Sequence, residues 1–441
     1  MIEFDLIDFS SPGDIKTVQD RLLTDLIGHV SGTSQYYKNI FRQNHLTPDD
    51  IKGVDDLHKI PFTTRDDLQR YNWDFLSAPR HAVREIVSTT GTTGEPQFIA
   101  MTGSDIDRLA YNEQRSFTYA GANPGDLFHI AVTGDNLFIA GAAYYRGLIR
   151  LGAAVARVGP QNTIRQFDLI KKLQPFGIVA VPSFMLHMAR AARELKINPR
   201  DLGLQKAVLI GESIRDASLR SNPLGELVEE AFGEICYSTY GITEGQVSFC
   251  ECVQKNGLHS HPDLVIAEVV DEEGKPLGDG ETGELVLTTL QIEGMPLIRY
   301  KTGDITFKTT NTCKCGRNSL RIGPIIGRKQ QRLKIKGVTL YPKTIENAIL
   351  GIKDVVNYQI EAVTGENQSD RVILRVGSLR TEAELRPELT EHLRAKARVT
   401  PELVIESPEA VNERLTEGGS RKAVTFKDRR STEAANERLQ G

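Results

Sequence analysis

Cysteine and tryptophan are scarce in this chain, which has five cysteines and one tryptophan among 441 residues. A small, odd number of cysteines in a chain of this length argues against a disulfide framework and leaves free thiols or a metal site. No stretch offers roughly 18 apolar residues in a row, so no membrane partner is expected. The acidic N-terminus lacks the basic start and apolar core of a secretory signal, and we therefore expect a cytoplasmic protein.

No excess of either charge marks the chain, because the formal net charge is only -4. The basic residues form no concentrated stripe, so no nucleic-acid partner is expected. An apolar fraction of 39% and a charged fraction of 25% are ordinary for a soluble globular enzyme. The length favours two to four structural units. The protein is expected to be a monomer or a homodimer.

Hydrophobic periodicity predicts an α/β fold in two domains. Residues 1–80 carry helical periodicity, and the following segment alternates short apolar runs with amphipathic stretches, as in helix-covered, mostly parallel sheets. Strand-like runs separated by turn-rich segments predict a β subdomain over about 250–326. These parts would form a domain over 1–328, and residues 329–441 would form a small, mobile α/β domain.

A loop rich in hydroxyls and glycines follows a strand-like run at Ile86 and Val87. Glycines let backbone N–H groups turn toward a polyphosphate, and Ser and Thr hydroxyls add donors. The loop lacks the Gly-Lys-Ser/Thr ending of a Walker A motif, and by itself it is also compatible with a polar surface turn. Its candidate phosphate-binding residues are Ser88, Thr89, Thr90, Gly91, Thr92, Thr93 and Gly94.

Two further motifs follow in order, Tyr240-Gly-Ile-Thr-Glu244 and Arg299-Tyr-Lys-Thr-Gly-Asp304. Taken singly, the first is compatible with a helix start and the second with a turn. Together with the loop, they resemble the motifs of the adenylate-forming (acyl-CoA synthetase) superfamily, and the surroundings of the loop resemble the phenylacetate–CoA ligase-like family. The chain departs from that family at Glu95, where the family has Lys, and at Gln330, where it has Asp.

The resemblance implies an AMP-forming acid–thiol ligase. Such an enzyme uses ATP and Mg²⁺ to convert a carboxylate, here an aryl acid, to an acyl-adenylate and transfers the acyl group to coenzyme A. Two alternatives stay open: an enzyme that loads the phosphopantetheine of a carrier protein, and a catalytically inactive nucleotide-binding module. The presence of Glu244, Asp304 and Lys422 argues against the inactive module.

The resemblance also implies roles for individual residues. The loop residues would position the pyrophosphate, Tyr240 and Gly241 would border the adenine, and Thr243 would contact the α-phosphate. Glu244 would bind Mg²⁺, a cation that prefers oxygen ligands. The two ribose contacts would be Asp304 and Arg328.

The catalytic cation of the family is a mobile lysine near the C-terminus, which aligns with Lys422. Arg421 and Lys427 are nearby competitors. The hinge between the domains would lie at Gln330. For thioester formation, the small domain would rotate so that the face around Lys334, Lys336 and Gly337 replaces Lys422.

The resemblance also implies where the acyl group binds, because the segment 133–145 aligns with the family's aryl-binding segment. Phe138 beside the small residues Ala140 and Gly141 would form a flat slot, with Gly211 and Glu212 as another wall. Aromatic and small residues can accept a planar ligand by stacking, although residues of these types also fill ordinary cores.

Three cysteines and a histidine predict a structural zinc site. Cys252, His259, Cys313 and Cys315 supply three sulfurs and one imidazole nitrogen, a common tetrahedral set. Subsets of the phenylacetate–CoA ligase relatives carry a similar set. His261 and Cys250 are alternative ligands, and buried free thiols are the alternative to a metal.

Overall fold

The computed structural model describes residues 7–89, 97–160, 162–335, 338–352, 354–365, 370–416 and 424–430. Backbone contacts divide the chain into two units. The first contains the described residues of 1–221, 225–302 and 306–325, and the second those of 222–224, 303–305 and 326–441.

Helices open the first unit, as the periodicity predicts. They are α1 Pro12–Thr33, α2 Gln35–Gln43 and α3 Arg65–Arg70. The side chain of Ser34 accepts a hydrogen bond from the Tyr37 backbone N–H and so caps the start of α2. The rings of Tyr36 and Phe75 stack at 4.0 Å and join these helices to the core.

A nine-stranded sheet forms the centre of the first unit, in the order β13-β14-β9-β8-β7-β6-β5-β3-β4. Strands β4, β3, β5, β6 and β7 are parallel, and β8, β9, β14 and β13 continue the sheet with antiparallel pairing. The strands are β3 Leu127–Ile130, β4 Ala154–Arg157, β5 Gly177–Ala180, β6 Lys206–Leu209, β7 Cys236–Ile242, β8 Val247–Glu251, β9 Leu258–His259, β13 Lys308–Thr309 and β14 Arg321–Ile322.

Helices alternate with the parallel strands along the chain. They are α4 Gly103–Tyr119, α5 Ile139–Leu151, α6 Thr163–Leu173, α7 Pro182–Glu194 and α8 Pro223–Phe232. All four residues of β5 are buried, which explains why this strand is apolar on both faces. A side chain at Gly177 would meet the Phe128 ring at 2.3 Å, so only glycine fits at the start of β5.

Two smaller antiparallel elements complete this part of the fold. A two-stranded sheet pairs β1 Val83–Ser88 with β2 Phe98–Thr102. A four-stranded sheet has the order β10-β11-β12-β15, with β10 Val265–Val270, β11 Gly283–Thr289, β12 Tyr300–Thr306 and β15 Gly327–Arg328. The second sheet includes the strands expected in the β subdomain. Residues 303–305 of β12 and both residues of β15 belong to the second unit.

The second unit contains a four-stranded sheet in the order β20-β19-β18-β21 and a small hairpin, β16 with β17. Its strands are β16 Leu333–Ile335, β17 Val338–Leu340, β18 Val355–Thr364, β19 Asp370–Ser378, β20 Glu402–Glu406 and β21 Phe426–Asp428. Its helices are α9 Pro342–Ile349, α10 Glu382–His392, which continues as a π-helical turn at Leu393–Ala397, and α11 Pro408–Leu415.

The architecture confirms the predicted α/β class. Alternating helices and buried parallel strands occur where the sequence predicts them, and the β-rich segment before residue 326 is antiparallel. Within the described residues, no helix has both the length and the apolar character needed to cross a membrane.

Candidate active site and candidate metal centre

Several of the predicted site residues lie at or after the carboxyl ends of parallel strands in the large sheet. Strands β3, β6 and β7 end at Ile130, Leu209 and Ile242, and all three point the same way in the large sheet. Ligands of open α/β sheets bind outside the carboxyl ends of the strands. The segments after β3, β6 and β7 therefore meet at the edge of the sheet where a ligand is expected.

The segment proposed for acyl binding turns sharply into α5. Asn136 and Leu137 have left-handed backbone angles, with φ of 55° and 59°, and Phe138 is the N-cap of α5. A side chain at Gly141 would lie 2.1 Å from the Thr133 carbonyl oxygen, so glycine alone allows this close approach. Phe138 and Ala140 remain half-buried at the start of the helix, where the sequence predicts the slot.

The second proposed wall of the acyl pocket consists of Gly211, which has open space around it, and Glu212, which is hydrogen-bonded. Gly211 has φ of +76°, and a side chain placed there would have no neighbouring atom within 4 Å. Glu212 is already engaged, because its carboxylate accepts from the backbone N–H of Ser183 at 2.8 Å and from its hydroxyl at 2.9 Å. Ser183 lies in the first turn of α7, so Glu212 stabilises that helix N-terminus.

The residues that flank the predicted phosphate loop are hydrogen-bonded to each other and to the segment proposed for acyl binding. Ser88 ends β1, and its backbone N–H donates to the Leu137 carbonyl at 2.9 Å, which joins the loop to the start of the acyl segment. Thr89 and Gln97 face each other across the loop: the Thr89 N–H donates to the Gln97 carbonyl at 3.0 Å. The Gln97 N–H donates to the Thr89 hydroxyl at 3.3 Å.

Five predicted residues of this loop lie outside the described residues. They are Thr90, Gly91, Thr92, Thr93 and Gly94.

The second motif spans the turn between β7 and β8. Tyr240 and Gly241 lie within β7 itself, opposite Phe249 and Ser248, rather than in the loop that the sequence predicts for the whole motif. The strand extends to Ile242 because β8 supplies antiparallel partners for these residues. Thr243 and Glu244 follow in the turn, where both are half-buried.

The third motif contributes to both this turn and the second unit. The Tyr300 hydroxyl, on β12, lies 3.4 Å from Oε1 of Glu244 and is oriented to donate to it. Further along β12, Asp304 pairs directly opposite Arg328 of β15, and its Oδ1 lies 3.3 Å from the Arg328 Nε. The two residues assigned to the ribose are thus neighbours on adjacent strands.

The Cys/His set is assembled in the first unit. The ligand atoms of Cys252, His259, Cys313 and Cys315 all lie within 4.8 Å of one another. The sulfurs of Cys252 and Cys313 are 3.8 Å apart, and the Cys315 sulfur is 3.6 Å from the His259 Nε2. Zinc bonds of about 2.3 Å to sulfur and 2.0–2.1 Å to nitrogen, at a tetrahedral angle, place such atoms about 3.8 and 3.5 Å apart.

The other ring nitrogen of His259 also has a partner, since its Nδ1 lies 2.8 Å from the Ser319 hydroxyl. Such a bond orients a histidine ligand and fixes its tautomer. Burial lowers the pKa of His259 to about 3, so its ring is neutral at physiological pH. The alternative ligands are engaged elsewhere: His261 contacts Ser116 and Tyr119, and the Cys250 sulfur donates to the Glu251 carbonyl.

Known proteins match this chain over most of its length. A profile described as AMP-binding enzyme matches residues 69–293. The phenylacetate–coenzyme A ligase of Thermus thermophilus is 36% identical over 86% of this chain and 82% of the relative. The enzyme of the same name from Escherichia coli is 31% identical over 89% of this chain and 90% of the relative.

The chain belongs to the phenylacetate–CoA ligase-like family of adenylate-forming enzymes. This confirms the family predicted from the three motifs, and with it an AMP-forming acid–CoA ligase. The fold has a counterpart among solved structures: 2-hydroxyisobutyryl-CoA ligase in the postadenylation state superposes with a TM-score of 0.82 at 23% identity. That match covers 99% of this chain and 94% of that one.

Four of the residues predicted around the lysine site and the thioester-forming face fall in segments that the structure does not describe. Lys336, Gly337 and Lys422 lie outside the described residues, as does Arg421. Lys427 is half-buried on β21.

Sequence reasoning missed Tyr300 as a partner of Glu244. The residue stood inside a recognised motif, but only the folded chain shows that its hydroxyl reaches a carboxylate 56 positions earlier.

A buried ionic network was missed as well. Arg115 binds Asp8 and Asp263, and all three side chains are at most 7% exposed. The Tyr119 hydroxyl donates to Asp8 and also contacts His261. No local pattern in the sequence signals these pairs, because Asp8 and Asp263 lie 107 and 148 positions from Arg115.

Proposed function

We propose that this protein is an aryl-acid–CoA ligase. It joins an aryl carboxylate to AMP with release of pyrophosphate and then transfers the acyl group to the thiol of coenzyme A. The observation that carries the proposal is the meeting of two motifs in the fold, where Tyr300 of the third motif contacts Glu244 of the second. The curated relatives named phenylacetate–coenzyme A ligase support the choice of an aryl acid.

The first half-reaction brings a carboxylate against a triphosphate, so like charges must be screened at the α-phosphate. We assign Glu244 to hold Mg²⁺ and Thr243 to contact the α-phosphate. A half-buried carboxylate in a turn suits a hard cation, which takes its remaining ligands from phosphate oxygens and water. When bound, Mg²⁺ neutralises phosphate charge. Lys422 would supply a further cation.

ATP would be held at its ends by separate groups. The phosphate loop would position the pyrophosphate, and Tyr240 with Gly241 would border the adenine. The carboxylate of Asp304, which pairs with Arg328, would offer two acceptor oxygens to the ribose diol.

For the second half-reaction, we propose that residues from 329 onward act as the small mobile domain and present the face around Lys334, Lys336 and Gly337. The related 2-hydroxyisobutyryl-CoA ligase has been solved in a postadenylation state and, with CoA, in a thioesterification state. This supports a reaction in two conformations.

The Cys/His set would hold a structural zinc ion. Its sulfur and nitrogen separations fit tetrahedral coordination, and a set of four protein ligands leaves no position for substrate. The ion would join the β8–β9 segment, which carries Cys252 and His259, to the loop with Cys313 and Cys315.

The deciding experiment is acid-dependent pyrophosphate exchange across a panel of aryl and short aliphatic acids, followed by detection of the thioester. Aryl acids should support exchange, and CoA should accept the acyl group. Exchange followed by thioester formation on a carrier protein but not on CoA would favour the carrier-loading enzyme. Absence of exchange with every acid would favour the inactive nucleotide-binding module.

A further inference from the structure

Arg430 lies at the centre of a compact set of contacts within the second unit. Its guanidinium donates to the Arg332 carbonyl at 2.8 Å and to the Gln330 carbonyl at 3.2 Å. It also pairs with Asp370 at 3.3 Å and with Asp428. The Arg430 side chain is 5% exposed and that of Asp370 is 1% exposed, so this is a buried charge pair.

The segment contacted by Arg430 is the one predicted to contain the hinge. Asp370 contacts the same segment from its other end, because its Oδ2 accepts from the Lys334 backbone N–H at 2.7 Å. Arg430 and Asp370 together therefore bind three backbone groups between residues 330 and 334. A planar guanidinium can reach two carbonyls and a carboxylate at once, whereas a lysine ammonium lacks this fixed fork.

Arg430 also lies two residues after the end of β21, the strand that follows Lys422 in the sequence. Strand β21 pairs in parallel with β18, with Phe426 opposite Ile360, and the Arg429 N–H donates to the Ala362 carbonyl at 2.7 Å. These backbone bonds fix β21 to the sheet of the second unit. The side chain of Arg430 then extends the connection from β21 to residues 330–334.

We propose that Arg430 is a positioning residue that fastens the hinge segment to the strand following Lys422. With Asp370 it makes residues 330–334 and β21 move as one piece, so that rotation of the small domain is confined to backbone torsions before the Gln330 carbonyl. Reorientation at the hinge is then transmitted to β21, the strand that follows Lys422 in the sequence. This inference rests on the proposed function, in which Lys422 serves adenylation.

The test compares Arg430→Lys with Arg429→Lys in the full chain. The control changes the neighbouring residue, whose guanidinium lies 3.4 Å from Glu361 and whose side chain is 50% exposed. Arg430→Lys should lower kcat for pyrophosphate exchange by about 10- to 100-fold, as for a catalytic group displaced by roughly 1 Å. The KM for ATP should stay within about two-fold, since ATP binding is assigned to other residues. Arg429→Lys should leave both near the wild-type values.

A second readout does not depend on activity. Amide hydrogen exchange should accelerate together in residues 330–335 and 424–430 of Arg430→Lys, and in neither segment of Arg429→Lys. Asp370→Asn, which keeps an acceptor for the Lys334 N–H but loses the charge, should have the same effect if Arg430→Lys does not fold.

Three results separate the explanations. Unchanged amide exchange in both segments would overturn the proposal, as would a kcat loss fully explained by a smaller fraction of folded enzyme. A wild-type protein without pyrophosphate exchange would instead contradict the proposed function, and the amide measurement would still decide whether Arg430 fastens the segments.

Discussion

Replacing Asp304 should weaken ATP binding while leaving the chemical step nearly intact. The carboxylate faces Arg328 across the β12–β15 pair at 3.3 Å, and 56% of the Arg328 side chain is exposed. Because water can hydrate the exposed Arg328 guanidinium once its partner is gone, the loss of this pair should cost about 1 kcal/mol of folding stability or less. The larger effect is expected on the ribose, whose hydroxyls would donate to the carboxylate.

The size of the effect follows from hydrogen bonds to a charged acceptor, which contribute about 1.5–3 kcal/mol. The loss of one such bond should raise the KM for ATP by about 10- to 150-fold, at about 1.4 kcal/mol for each factor of ten, and the loss of both in Asp304→Ala should raise it by at least that factor. If Asp304 holds the ribose equally in the ground state and the transition state, kcat should change little. Asp304→Asn keeps one acceptor oxygen and should give an intermediate KM.

Pyrophosphate exchange at varied ATP concentration measures both constants, and thermal unfolding checks the fold. Arg328→Ala removes the second proposed ribose contact and keeps the carboxylate, so its rise in the KM for ATP should be smaller than that of Asp304→Ala. The reasoning would be refuted by a fall in kcat larger than the rise in KM in a folded Asp304→Ala protein.

The remaining predictions concern catalysis, metal and pH. Glu244→Ala should act mainly on kcat, by about 10²-fold, because its Mg²⁺ would neutralise charge that develops in the transition state; magnesium titration of exchange rates measures this. Lys422→Ala should abolish adenylation yet largely spare thioester formation from supplied acyl-adenylate, whereas equal losses would indicate a structural lysine. Purified protein should contain about one zinc ion per chain, and Cys313→Ser should lower metal content and melting temperature, with Cys250→Ser as the control that keeps the metal. Burial raises the pKa of Glu113 to about 7, so the protonated side chain stabilises the folded state fully below pH 4.5, and this stabilisation is lost as the pH rises through 7. Glu113→Gln should therefore have a higher melting temperature than the wild type at pH 8 but not at pH 5.

The sequence was most informative where chemistry depends on residue type and order. The three motifs predicted the family because their residues recur in one order, and the Cys/His set was found because few residue types bind zinc. The strands β5, β18 and β19 were predictable from their apolar runs, since buried strands need them.

Contacts between distant positions were not predictable. Tyr300 reaches Glu244, and Arg115 joins Asp8 to Asp263, only after the chain has folded. The same holds for the Arg430 guanidinium, which makes two ion pairs and donates to two backbone carbonyls. The motif around Tyr240 illustrates the other limit. Its turn chemistry suggested a loop, but pairing with β8 extends the strand through Gly241, because tertiary hydrogen bonds override local preference.

The central claim is that the carboxylate reacts as an acyl-adenylate, and oxygen transfer tests this directly. Wild-type protein should be incubated with ATP, CoA and an aryl acid whose two carboxyl oxygens are ¹⁸O, and the products analysed by mass spectrometry. Attack of the carboxylate on the α-phosphate makes one ¹⁸O the bridging oxygen of the acyl-adenylate. When the CoA thiol attacks the acyl carbon, this ¹⁸O leaves with AMP, and the second ¹⁸O stays in the thioester carbonyl. The account predicts one ¹⁸O in AMP for each thioester formed; ¹⁸O in inorganic phosphate with formation of ADP, or thioester formation with unlabelled AMP, would contradict it.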